Sequence, residues 1–121
     1  MRRRRDETGA VTAEAAVVLP VLVLFALGLA WLVALGATQV RALDAARETA
    51  RAVARGEDRQ AGIGLGARVA TAGAVISVTQ EGDTVAVTVD APVRGPGGLF
   101  ALLPAYHARA TAVAAAESVG P

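Results

Sequence analysis

The apolar positions along the chain fall into three regimes. From Ala15 to Val40 no residue is charged. That run of about 26 residues would reach roughly 39 Å as a helix, against about 30 Å for the hydrocarbon core of a bilayer. It is therefore long enough to span a membrane with some tilt, and too apolar for the surface helix of a small soluble domain. From Val40 the pattern changes to a helical spacing. Val40, Leu43, Ala46, Ala50, Val53 and Ala54 mark an apolar face, while Arg41, Asp44, Arg47, Glu48, Arg51 and Arg55 are polar. Asp44–Arg47 and Glu48–Arg51 have ion-pair spacing, and Gly56 is a fitting stop. The two regimes join without a break across Thr38-Gln39-Val40-Arg41, so one helix from about Thr12 to Arg55 is expected, roughly 65 Å long. Pro20 should loosen one turn of it. Ala26, Ala30 and Ala34 form a small-residue face, and Trp31 sits deep in the run.

The third regime alternates. Val75 to Gln80 reads as a strand, Glu81-Gly82-Asp83 as a turn, and Thr84 to Asp90 as the returning strand. Val85, Val87 and Val89 share one face, with Thr84, Thr88 and Asp90 on the other. Pro92 and the stretch Arg94 to Gly98 break the pattern; Leu99 to Leu103 is a short apolar segment, and Tyr106 to Ala115 a third strand. Between helix and sheet, Ile63, Leu65 and Val69 are spaced for a short helix near Asp58–Ala72. Gly62, Gly64 and Gly66 each weaken it by about 1 kcal/mol relative to Ala. The region 57–121 is too small to bury a generous core alone, and one face of the sheet must be covered. The amphipathic stretch Val40–Val53 is the available cover, with Val78, Val85, Val87 and Val89 turned toward it. The expected fold class is α+β.

Composition narrows the function. The net charge of +1 offers no bulk attraction for nucleic acid. All 12 basic residues are Arg, which with the abundance of Ala, Gly and Val reads as the codon bias of a GC-rich bacterium. The chain has no Cys, so neither disulfides nor thiolate metal sites are available. Gly62-x-Gly64-x-Gly66 lacks the preceding strand and the following Lys of a phosphate loop. Glu81 and Asp83 read as solvated turn residues, and the single His, His107, has no nucleophile–base grouping near it in sequence. No catalytic, cofactor-binding or metal-binding set is expected, and no enzyme activity.

The left edge of the apolar run carries the functional signal. Arg2 to Arg5 precede Asp6-Glu7-Thr8, then Gly9-Ala10-Val11-Thr12-Ala13-Glu14-Ala15-Ala16-Val17-Val18-Leu19-Pro20. This resembles the leader junction of type IV prepilins, and most closely the TadE-like family of tight-adherence pilus assembly proteins, which read G-x-V-T-x-E-x-A-x-V-x-P there. The resemblance implies a pilin-like architecture and processing by a prepilin peptidase between Gly9 and Ala10, with Glu14 as the fifth mature residue. It also implies partners: the peptidase, the major pilin and other minor pilins, the assembly platform and its secretion ATPase, and membrane lipid. No nucleic acid is implied. The corresponding division is a basic leader 1–9, a transmembrane helix 10–40, an amphipathic extension 41–55 and a small extracytoplasmic α+β domain 56–121.

The spacing has a physical reason. Gly offers a Cβ-free, unhelical residue at the cut. Cutting leaves an α-amine on Ala10, and Glu14 lies one helical turn away on the same face. Pairing the two, within a chain or between neighbours, offsets a cost of about 2.5–3.5 kcal/mol for a charge deep in lipid. Arg2 to Arg5 fit a cytoplasmic flank, but Arg41, Arg47, Arg51, Arg55 and Arg59 flank the other side, so N-inside orientation rests on the resemblance. The alternative is a secreted or periplasmic binding module whose signal peptide runs to about Gly36. Against it, the apolar run exceeds the ~7–15 residues of such signals.

Overall fold

The computed structural model describes residues 2–93 and 106–116, with side chains from Asp6 onward. Helix α1 covers Arg2–Ala54 and α2 covers Arg59–Val69; strands β1, β2 and β3 cover Val75–Glu81, Thr84–Pro92 and His107–Ala115. The strands form one antiparallel sheet in the order β1-β2-β3. A long apolar N-terminal helix with a small three-stranded sheet is the α+β layout that the sequence predicts. The apolar segment Leu99–Leu103 and the tail beyond residue 116 lie outside the described residues. By internal contact the chain divides into two units, residues 1–32 and 33–121, and α1 contributes to both.

In the first unit α1 is helical through Pro20. Its large apolar side chains, among them Val17, Leu22, Leu24 and Phe25, are exposed. Its apolar stretch reaches a mean hydropathy of 2.7, long and apolar enough to cross a membrane, with none of that stretch buried within the protein. So large a contiguous apolar surface marks an interaction with lipid or another chain, and it is compatible with a single-pass anchor.

In the second unit α1 continues without an interruption at residues 37–43. Ala42, Ala45, Ala46, Ala50 and Val53 form its buried stripe, at the i, i+3, i+4 spacing of a core-facing helix. They cluster with Val85, Val87, Val89 and Ala91 of β2 and Ala110 of β3; Ile76 and Val78 of β1 pack at the margin. Val85, Val87 and Val89 are completely buried, each stabilising by about 1.5–3 kcal/mol. Two expectations need correction. Val40 is exposed and lies outside the buried stripe, which is displaced toward the alanines because they let α1 come closer to the sheet. Among the described residues neither Asp44–Arg47 nor Glu48–Arg51 closes into an ion pair; only the exposed Arg55–Glu57 pair, at 3.1 Å, forms near this stretch. Holding two long exposed side chains together costs about as much entropy as the contact returns.

The end of α1 is built as the sequence predicts. Gly56 has φ +92°, and its N–H donates to Val53 O while Glu57 N–H donates to Ala52 O. This is the Schellman pattern, which satisfies carbonyls the helix leaves open. The chain then turns back as α2, within the expected range, but with a different face buried. Gly62 and Gly66, not Val69, are the buried positions. A Cβ on Gly62 would stand 2.9 Å from Val53 Cγ2 and 3.6 Å from Ala52 Cβ. One on Gly66 would overlap Thr49 Oγ1 and lie 3.0 Å from Ala45 O and 3.1 Å from Ile76 Cδ1. The two glycines, one turn apart, form the contact surface of α2 against α1, so their helix-propensity cost is the condition of close approach. Thr49 is wholly buried there, and its hydroxyl has no partner among the described residues.

β1 and β2 close through Gly82-Asp83, with Glu81 opposite Thr84. Gly82 has φ +56°, as the first central residue of a type II′ hairpin turn requires. Thr88 Oγ1 and Thr111 Oγ1 meet at 3.3 Å on the outer face.

Two pairs of substitutions test this packing. Gly66→Ala should destabilise by about 2 kcal/mol through overpacking, and by clearly less when combined with Thr49→Ala. Gly64→Ala, which meets open space, should stabilise by up to about 1 kcal/mol. Urea melts of the four proteins measure both. Val87→Asp should lose more than about 3 kcal/mol by burying an unpaired charge, whereas Thr88→Asp on the outer face should stay within about 1 kcal/mol; equal, small losses would contradict the face assignment.

Candidate processing site

Gly9, Ala10 and Glu14 all lie on α1 in the first unit, and all three are exposed. A Cβ on Gly9 would meet nothing within 4 Å. Gly9 is helical in the full-length chain, so the unhelical geometry expected at a cut is absent from this state. Gly has a weak helix propensity, so this turn of α1 is easier to unwind than its neighbours. Ala10 and Glu14 stand one turn apart on one face, as their spacing requires. Thr12 adds a detail that spacing alone missed: its Oγ1 donates to Thr8 O at 2.9 Å. This bond bridges the Gly9–Ala10 junction. The signal in the sequence was a Thr four residues after a backbone acceptor within a helix.

A second polar group lies on the outer face of the sheet. Arg109 is opposite Asp90 in the register, and His107 is two residues before it. Asp90 Oδ1 is 2.7 Å from His107 Nδ1, and Arg109 donates to Asp90 Oδ2 at 3.2 Å. The Arg109 hydrogen bond, aided by His107, holds the Asp90 carboxyl below its ordinary value of 3.8, against a smaller opposing effect of desolvation. His107 thus has a structural partner that only the strand register supplies. Among the described residues no three His, Asp or Glu side chains gather into a metal-holding group.

Residues 9–51 match the model of the family described as TadE-like protein. Over that stretch the chain is similar to TadE-like proteins. The match opens at Gly9 and runs through the apolar stretch of α1 to Arg51, covering most of the buried alanine stripe and none of the sheet. No curated protein and no solved structure matches the chain. The TadE-like match and the long apolar helix together fit a pilus-associated membrane protein.

The Asp90 cluster lies beyond the TadE-like region and stands on its geometry alone. A carboxyl whose value is lowered by folding stabilises the fold above its unfolded value, and that contribution is lost as pH falls through the folded value. Asp90→Asn should therefore melt lower than the wild type at pH 6, and the gap should begin to narrow only below about pH 3.8, closing as the pH falls through the lower folded value. Thermal melts across that range measure it.

Proposed function

We propose that this protein is a minor pilin or pilus assembly component of a tight-adherence system, made as a precursor and cut after Gly9 by a prepilin peptidase. The observation that carries this reading is the coincidence at Gly9. The family match begins there, and the basic leader ends there. A carboxylate follows one turn after the next residue, and an apolar helix follows that. In this reading α1 holds the protein in the cytoplasmic membrane with the N-terminus inside and the sheet outside. Its partners are the peptidase, the major and minor pilins, the assembly platform and the secretion ATPase. The role is structural; no chemistry is assigned to the sheet domain.

Gly9 and Glu14 have separable tasks under this proposal. Gly9 acts in cutting, where a Cβ would obstruct a peptidase subsite shaped around bare backbone. Glu14 acts afterwards, when Ala10 carries a free amine for it to neutralise. Cutting would also remove Thr8 and so free the Thr12 hydroxyl. Gly9→Val co-expressed with a prepilin peptidase should leave the full-length precursor in membranes. Glu14→Val should still be cut, since losing a charge eases insertion, yet should fail to retain the major pilin in a pull-down. Intact mass and N-terminal sequencing of the membrane fraction read the outcome. A mature wild-type chain starting near Gly36 would establish the signal-peptide alternative instead, and a processed Glu14→Val protein that assembles normally would remove the charge-pairing role.

A further inference from the structure

Among the described residues the β3 edge of the sheet is unpaired beside a row of arginines. Among the described residues β3 pairs with β2 alone. Val93 N–H donates to Tyr106 O at 2.8 Å and Ala116 N–H to Asp83 O at 2.6 Å. Between these ends the antiparallel ladder alternates. The even-numbered residues of β3 therefore bond to β2, and His107, Arg109, Thr111, Val113 and Ala115 direct their N–H and C=O groups to the free side. Arg109 O is engaged there: Gln39 Nε2 of α1 donates to it at 3.1 Å. Further along, no described strand pairs with the edge. A groove of about 390 Å³ lies between residues 112–115 and the side chains of Arg47 and Arg51 on α1 and of Arg55 just past its end. Arg47 and Arg51 are exposed and have no ion-pair partner among the described residues; Arg55 reaches Glu57.

We propose that this groove binds an extended, acidic polypeptide segment of a partner protein, which adds a fourth strand to β3. Main-chain bonds from Thr111, Val113 and Ala115 would supply its alignment, and the arginines its selectivity, as in recognition by strand addition. The spacings agree. Arginines at i, i+4 and i+8 recur about every 6 Å along a helix. Alternate side chains of a strand recur about every 6.6–6.8 Å. A segment with a carboxylate at every second residue thus meets the whole row, and the length of the Arg side chain absorbs the small difference. Charge also argues against a second copy as occupant. Edge-to-edge pairing of two β3 strands would bring two such rows together, and like charges brought face to face oppose association. This surface is independent of processing at Gly9.

The test uses the full-length chain in nanodiscs of zwitterionic lipid and a fluorescein-labelled peptide of alternating Glu and Thr. The wild type should bind it, and more weakly with added salt. The double variant Arg47→Gln/Arg51→Gln should bind about tenfold more weakly, with an unchanged melting temperature. Val113→Pro removes one outward N–H without touching the β2 ladder and should weaken binding as well. Should that variant fail to fold, the same point is read on the wild type with a peptide N-methylated at alternate amides, which should not bind. Undiminished binding by the double variant, or of the N-methylated peptide, would overturn the proposal. So would Arg-dependent binding to phosphatidylglycerol vesicles without any binding of the peptide, which would assign the groove to lipid headgroups.

Discussion

The approach of α1 to β2 is set by the size of the side chains between them. Ala42, Ala45, Ala46 and Ala50 present only methyl groups, and the facing row is Val85, Val87, Val89 and Ala91. Each alanine buries little surface, so the contact gains stability only if the backbones come close and stay in register along several turns. The rest of the second unit follows from that closeness. Thr49 becomes wholly buried in the same stretch, and the element that packs beside it has no room for side chains of its own. α2 meets this constraint by placing Gly62 and Gly66 against Thr49 and Val53. A helix that looks poor by propensity is the one that fits.

The first unit obeys the opposite rule. There the apolar side chains of α1 are long, and they point outward on all sides. No described residue covers them, so their stability depends on an apolar surrounding. One helix thus carries two chemistries: a stretch of Val, Leu and Phe suited to lipid, and an alanine stripe suited to a close-packed sheet. The TadE-like match spans most of both and stops short of the strands.

Among the described residues, charged side chains are confined to surfaces. Asp90, His107 and Arg109 tie β2 to β3 on the outer face, where the carboxyl is held ionised by its neighbours. On the other side of β3, arginines of α1 stand beside backbone groups that no described strand uses. An open edge invites unwanted pairing, and nearby positive charge is one of the ways that proteins limit it. The same charge that repels a like copy selects an acidic segment.

Local pattern by itself determined much of this protein. The charge-free run Ala15–Val40 fixed a spanning-length helix, because it is long, almost wholly apolar and holds no ionised group that would demand water. Alternation over Thr84–Asp90 fixed which side of β2 is buried, because a strand has period two and a one-residue slip would expose every valine. Gly56 marked the end of α1, since few residues other than Gly adopt its positive φ. The tertiary structure decided what depends on distance between elements. Val40 and Ala45 are both apolar, yet only Ala45 is small enough and rightly placed for the stripe that meets the sheet. Gly62 and Gly66 read as liabilities until α1 is laid against them. His107 and Asp90 are 17 residues apart, and nothing local joins them. Side-chain pattern reports a residue's own environment class, whereas contact between distant residues is set by register and approach, which only the folded chain possesses.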